Sequence, residues 1–496
     1  MNDPARTQNR LNSARPKVLL PGDNRLLSDA AAKLGKHLAD RLYAHNGEIV
    51  APDGKVLRAV DAQTFRTLVE ETLVCCRVRR GNGSVRVDAT MTVDESRGIL
   101  KSPQFSAELR HVARINTVKL PVRRQGGHIE LLPEGYDQAT HTLTISATQY
   151  PEDMTFAAGL DVIKDLFSEF EFADGERSRA VAVSALVGLY AALLVPEGEL
   201  RPAFTYTKNA EGAGATKCAE CAIVTVLGYS PTGVKAGDDD EMRKRISTTI
   251  CEGRSVLLLD NVKGQLNSPA LEAFVSTPTW SDRLLGANEM VTGPNNVTVF
   301  VTGNGLTVTP DWRRRSLFVE LHLSVERAED RIFKRPLSVP VLLSKRSEIL
   351  AACWSFVKNW DAKGRPHPNR SHSAFPAWAE VIGGIVEATG FACPLDTATS
   401  AVVADEDGDN MRSLVAAMTL GKKYSPSDIA ELCRENEIFT SLVGIAGSEM
   451  QPSHRSTFGK MLARYEKRQV GSVRFMIEGK GHGRRYFVTV IVQNAR

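Results

Sequence analysis

Apolar and polar positions along the chain follow three successive patterns. Residues 1–20 are polar, carry Pro4 and Pro16, and predict a loose arm. Residues 28–43 (SDAAAKLGKHLADRLY) place apolar side chains at helical spacing, and residues 62–74 predict a second helix. Between them, residues 47–60 read as a hairpin turned at Asp53-Gly54. Residues 121–146 mix turn signals with alternating apolar positions and predict small β structure. From residue 160 to 195 the pattern is apolar and helical. Next come a short strand, a glycine-containing loop and an apolar helix, spanning residues 204–227. Two continuous apolar runs follow. SVLLLDN (255–261) closes on an acid, and NVTVFVTGN (296–304) closes on an asparagine. Runs of this kind are buried strands of a parallel sheet, each delivering a polar group to its C-terminal tip.

Further along, residues 329–360 and 374–390 predict helices around a proline-rich loop at 363–373. Acidic residues 402–409 predict a linker. Residues 411–418, 425–436 and 453–467 then predict helices, the last two capped by Ser425 and Ser453. Strands at 471–477 and 484–492 flank the basic glycine turn EGKGHG. Helices followed by a β-hairpin describe a winged helix. The resulting division is 1–152, an α+β adaptor or DNA-contacting domain; 153–340, the α/β nucleotide core; 341–410, a helical lid or linker; and 411–496, the winged helix.

The loop NAEGAGAT is where chemistry enters. Against the phosphate-binding pattern G-x-x-x-x-G-K-[ST], Gly214 matches the last glycine and Thr216 the hydroxyl that reaches Mg²⁺. Asn209 stands at the first glycine and Ala215 at the lysine. Gly212 and Gly214 let backbone N–H groups converge on an anion at a helix N-terminus. The candidate nucleotide set is Asn209, Ala210, Glu211, Gly212, Ala213, Gly214, Ala215, Thr216 and Lys217. Asp260 follows Thr216 by 44 residues, and Asn304 follows Asp260 by the same interval. Asp260 is placed to hold Mg²⁺ through water beside Thr216. An alanine at 215 cannot neutralise phosphate charge. Either the loop has decayed, or a lysine has been replaced to silence turnover; the intact Thr216, Asp260 and Asn304 favour replacement.

Together, NAEGAGAT, the LLLDN strand, WSDRLLGANE, the TGNG tip and DWRRRSLFVEL resemble the AAA+ helicases of phage satellites and mobile genetic islands, related to superfamily 3 and MCM-like replicative helicases. The phrase GGHIELLPEGYD resembles that family's N-terminal domain, with a structural role expected. The resemblance implies an AAA+ P-loop nucleotide-hydrolase core, ATP and Mg²⁺ as cofactors, DNA as partner, and a ring of identical subunits, a hexamer. It reads Ala215 as GAGKT turned to GAGAT, and Asn261 as part of the family's usual Asp-Asn pair. It makes Arg283 a candidate for an arginine supplied to a neighbouring subunit's site; Arg314 and Arg315, which precede a strand of alternating character, are candidates for that role or for a phosphate sensor. The function it implies is ATP-driven DNA translocation or unwinding that starts replication of a mobile element. A DNA-binding regulator or scaffold with a relic nucleotide fold, and an ATPase of a phage-defence system, are the competing readings.

Composition narrows this little. The chain has 496 residues, 42% hydrophobic and 24% charged, with a net charge of +4, ordinary values for a globular chain. The distribution of charge tells more. Residues 453–496 hold ten Lys or Arg and two acids, a local charge of +8. That clustering suits phosphate contacts. Arg455, Lys460 and Arg464 are candidates to enter or flank a DNA groove, with Lys480, Arg484 and Arg485 on the wing. Eight cysteines are scattered, and Cys218 and Cys221 fall one helical turn apart, as core or helix-surface residues rather than metal ligands. No apolar leader or run of ~20 apolar residues is visible, so a reducing cytoplasm and no membrane partner are expected.

Overall fold

The computed structural model describes residues 15–20, 27–81, 83–234, 237–283, 290–324, 335, 337–396, 406–445, 447, 450–467, 469–470, 472–479 and 483–490. The chain forms two compact units, Met1–Val402 and Val403–Arg496. The boundary falls inside the acidic segment expected as a linker. That segment is shorter than expected, because Glu406 already starts the helix Glu406–Ala417.

A four-stranded parallel sheet lies at the centre of the first unit. Its spatial order is acid strand (Val256–Leu266), polar strand (Thr298–Val308), loop strand (Ala203–Lys208) and closing strand (Ser316–Leu321). Period-2 alternation divides each strand between two cores. Phe204, Tyr206, Leu258, Phe300 and Val319 point to one face, under the helices Glu176–Tyr190, Ala215–Leu227 and Arg346–Ala362. Ala203, Leu257, Leu259, Val301 and Phe318 point to the other, under Asp239–Cys251 and Pro269–Phe274. Burial on both faces is why these strands are continuous apolar runs in the sequence. Outside the acid strand, Val234 accepts from the Asp260 amide and donates to Leu258 O, both at 3.1 Å. This single bridge is the rudiment of a fifth strand.

The chain leaves the loop strand for the far side of the sheet, returns to fill the gap with the polar strand, then crosses to the closing strand. All four carboxyl ends share one edge, which is where open α/β sheets bind ligands. This mixed α/β arrangement fits a nucleotide-binding fold.

Two strands run past their expected ends. The acid and polar strands continue pairing through Gln265↔Thr307 and Leu266↔Val308. Asp260 and Asn304 therefore lie within strands rather than at tips. Asp260 is exposed to the edge by a bulge: the register shifts between Leu259 and Val262, where Asn261 takes a positive φ of 54°.

N-terminal to the sheet, the hairpin Glu48–Asp53/Val56–Ala59 turns at Gly54 as expected. The first helix, Leu27–Leu38, is shorter than its pattern, and Tyr43 instead starts a strand. Asp137 of the Gly-Tyr-Asp phrase pairs with Arg124 at 2.8 Å, a structural tie. The helical stretch 160–195 resolves into Phe156–Leu166 and Glu176–Tyr190, separated at Gly175 (φ 67°). The expected helix at 374–390 contains a π turn, Ala379–Gly383. Arg346 joins N-terminal strands to the core. It donates to Thr225 O (2.7 Å) and Val226 O (2.9 Å) at the end of the helix Ala215–Leu227, and to the hydroxyls of Thr117 and Thr148. A cation here also suits the negative end of the helix.

The second unit packs helices Glu406–Ala417, Pro426–Glu435, Thr440–Val443 and Pro452–Arg464 against strands Gln469–Val470, Val473–Glu478 and Arg485–Val490. Ser425 forms a capping box with Asp428. Ser453 is not a cap: the helix begins one residue earlier, with Gln451 as cap and Pro452 at the first turn. Tyr424 adds a bridge to Tyr486, extending the sheet from between the first two helices.

Candidate nucleotide site

The sequence Phe-Thr-Tyr-Thr-Lys ends the loop strand at Lys208, and the helix Ala215–Leu227 begins seven residues later. Residues 209–214 turn the chain at the carboxyl edge of the sheet. Gly212 (φ 84°) and Gly214 (φ 93°) take the left-handed conformation, which a side chain would strain. Gly214 is the helix cap, and a Cβ there would sit 3.3 Å from the Phe170 ring.

Thr216, in the first helical turn, meets Asp260. Its hydroxyl donates to Asp260 Oδ1 at 2.7 Å. A second hydroxyl, that of Thr302 on the polar strand, donates to the same oxygen at 2.7 Å. The Asn261 amide in turn donates to Thr302 Oγ1 at 2.9 Å. The bulge at Asn261 thus points its N–H across to the neighbouring strand and fixes Thr302, which fixes Asp260. Gly233 closes the other side: a Cβ on it would lie 2.5 Å from Asp260 Cβ. Thr216, Asp260 and Thr302 form the cluster. Asn304 lies two residues beyond Thr302 on the same strand, about 7 Å along it, in register with Lys208 and Lys263.

The remaining loop residues are engaged differently. Asn209 clasps the closing edge, accepting from the Leu323 amide at 2.8 Å and donating to Leu323 O at 3.2 Å. Ala213 and Ala215 are 0% and 1% exposed, within the core around Phe170. Lys217 turns away to Glu220, at 2.7 Å, and Glu220 also accepts from Ser230. Ala210 is half-buried; Glu211 and Gly212 are exposed at the loop crest.

The arginine candidates lie elsewhere. Arg314 and Arg315 share Asp311, each at 2.9 Å. They precede the closing strand, whose Ser316 pairs with Ala203, so they sit at the amino edge of the sheet. Five strand residues, about 17 Å, separate that edge from Lys208, so both arginines lie far from the loop of this chain. Arg283 is exposed on a hairpin, Thr279–Arg283 with Met290–Pro294, held to the helix Asp239–Cys251 by Trp280–Ser247 (3.2 Å) and Arg243–Asp282 (3.2 Å).

A hydroxyl and a carboxylate suit Mg²⁺, which keeps several waters and takes further ligands from phosphates. Among the described residues no group of three His, Cys, Asp or Glu could hold a metal ion without such help. Cys218 and Cys221 are fully buried, and burial pushes both thiols far up, which suits core residues.

In the second unit, Arg455 and Lys460 are exposed on the helix Pro452–Arg464, and Arg485 is exposed at a strand start. Arg484 is half-buried, with Nε sealed and unpartnered. Arg464 ends its helix; its side chain, and all of Lys480, lie outside the described residues.

No helix among the described residues is long and apolar enough to cross a membrane. No protein-family model matches the chain, and no curated protein matches it. Among solved structures, the A form apo structure of the NrS-1 C-terminal region, residues 305–718, aligns with a TM-score of 0.41 and 10% identity, over 90% of this chain and 96% of that one.

Proposed function

We propose that this chain is an ATP-handling motor protein: an AAA+ DNA translocase or helicase for replication of a mobile element, silenced in its present form by Ala215. The observation that carries the reading is the 2.7 Å bond between Thr216 and Asp260 at the carboxyl edge of a parallel sheet, directly after a loop turned by two left-handed glycines. In this reading the loop amides and the helix N-terminus hold the phosphates. Thr216 and Asp260 would hold Mg²⁺, Asp260 through water, and the Thr302 hydroxyl keeps Asp260 aimed. The metal would neutralise phosphate charge. Asn261 contributes through its backbone. The water-orienting group is open, with Asn304 the polar side chain next along the strand.

ATP would bind between subunits of a ring, and Arg283, Arg314 or Arg315 would serve a neighbour's site. From the amino edge of the sheet, Arg314 and Arg315 would act on a neighbour's site rather than on this chain's loop. The second unit would be a winged helix, with Pro452–Arg464 as the groove-facing helix and Arg484 and Arg485 on the wing. The sequential arrangement of helix, bridge at Tyr424, helices and hairpin supports it.

ATPase activity of this chain against Ala215→Lys tests the reading. The present chain is expected to bind nucleotide weakly and turn over poorly, and the variant to gain Mg²⁺-dependent turnover. A folded Ala215→Lys protein without that gain rejects the motor. The relic-fold reading, a non-catalytic DNA-binding protein, is favoured by one feature: Ala213 and Ala215 are packed into the core, so a lysine at 215 would start from a buried position.

A further inference from the structure

At the amino edge of the sheet, opposite the loop, lies a cavity of about 40 Å³ between the N-terminal strands and the core. A water needs roughly 10–15 Å³ by this measure, so the space holds about three waters or one compact oxyanion. Its walls include Lys55, Arg114, Asn116, Arg201, Arg254 and Asn296, and no Asp or Glu.

Two of these cations are accounted for. Lys55 donates to Gly228 O at 2.6 Å, past the end of a helix, and Arg254 pairs with Glu252. Arg114 and Arg201 are different. Arg114 donates to Asn296 Oδ1 at 2.8 Å and Arg201 to Asn296 O at 2.9 Å, so one neutral residue is shared by two guanidiniums. Arg114 Nε and Asn116 Nδ2 are sealed from solvent without a partner. Buried donors without a partner are costly, and like charges brought together where both are half-buried add to that. Burial pulls Arg114 down to about 10 and Arg201 to about 9, the latter with Arg114's repulsion added. Glu197 reaches Arg114 only through space.

We propose that a free phosphate-type dianion occupies this cavity, bridging the guanidiniums of Arg114 and Arg201 and clamping the N-terminal strands to the sheet. A tetrahedral oxyanion offers several acceptors to convergent donors and neutralises both guanidiniums. The volume admits the phosphate and leaves no room for a nucleoside.

Thermal unfolding of the full chain, with phosphate titrated against chloride at equal ionic strength, tests this. A ligand that binds only the folded state raises Tm steeply near its Kd and then with the logarithm of its concentration. Phosphate also raises Tm by exclusion from protein surfaces, but in proportion to concentration and equally in variants. Wild type and Thr216→Ala, which alters the distant loop, are expected to show the logarithmic rise; Arg201→Gln is expected to lose more than half of it. Without phosphate, Arg201→Gln should be no less stable than wild type, because a repelled charge is gone; in phosphate it should be less stable. AMP in place of phosphate should give no rise. A wild-type response equal to that in chloride, a full response in Arg201→Gln, loss of the response in Thr216→Ala, or an equal rise with AMP overturns the proposal. Should Arg201→Gln not fold, calorimetric titration of phosphate into wild type decides: saturable heat supports the site, and its absence overturns it.

Discussion

Thr302 holds Asp260 from one strand while Gly233 closes over it from the sheet's outer edge. Each contact gives a separable expectation. Thr302→Val leaves the Asn261 amide without its acceptor, which costs about 1–3 kcal/mol when the amide stays buried. Both a lower Tm and weaker Mg²⁺-dependent nucleotide binding are expected; unchanged nucleotide binding at lowered Tm would make Thr302 purely structural. Gly233→Ala pushes directly on Asp260 Cβ. Its expected signature is loss of Mg²⁺ dependence with a smaller change in Tm, and a variant binding Mg-nucleotide normally would remove Asp260 from the metal. Asp260 was legible in the sequence because an acid closing an apolar run is conspicuous. Thr302 was not, because threonine is an ordinary strand residue and its role arises from a bulge on the neighbouring strand.

At the scale of elements, the loop is tied down by Asn209 as much as it is turned by glycine. Asn209→Gly restores the phosphate-loop pattern yet deletes the clasp on Leu323. A decrease in Tm is expected, with no gain in nucleotide affinity; a gain with unchanged Tm would show that the clasp is dispensable and the first glycine is not. The helix Val93–Leu100 offers a pH test. Glu95 completes a capping box with Thr92 and meets Arg77 through both carboxylate oxygens, each at 2.7 Å. Burial opposes its ionisation, but the bonds from Arg77 and Thr92 outweigh it and hold the carboxyl below its usual value. A carboxyl lowered in the folded state stabilises fully above its unfolded value, about 4.3, and loses that contribution as pH falls through the folded value. The Tm gap between wild type and Glu95→Gln should therefore be open at neutral pH and narrow below about pH 4; a constant gap would contradict it. In this domain the helices Leu27–Leu38 and Ala62–Thr72 and the hairpin between them were readable from periodicity and turn residues, whereas Val93–Leu100 was not. Their ends were not, since Leu38, Gly175 and Gln451 stop or start helices through local geometry that apolar spacing does not encode.

For the whole molecule, the sheet order and the unit boundary matter most. The unit boundary lies in an acidic segment visible in the sequence, whereas the spatial order of four similar apolar strands is set by crossovers that no single strand records. The bridge at Tyr424 is one residue long and has no pattern to detect. If the second unit grips DNA through its phosphates, binding by the full chain should weaken linearly on a log–log salt plot. Arg455→Ala with Lys460→Ala should then lower the slope by about one for each residue that touches a phosphate. A salt-independent affinity, or a slope unmoved by both changes, would assign the basic surface another use.

Arg346 has a mechanical implication. The 13-residue helix Ala215–Leu227 is a stiff rod about 20 Å long. Thr216 stands at one end, and Arg346 grips the other while also holding Thr117 and Thr148. If the loop takes up a triphosphate as proposed, any tug on the rod would be delivered to those N-terminal strands. That part of the chain would then feel the fuel gauge without coming near the fuel.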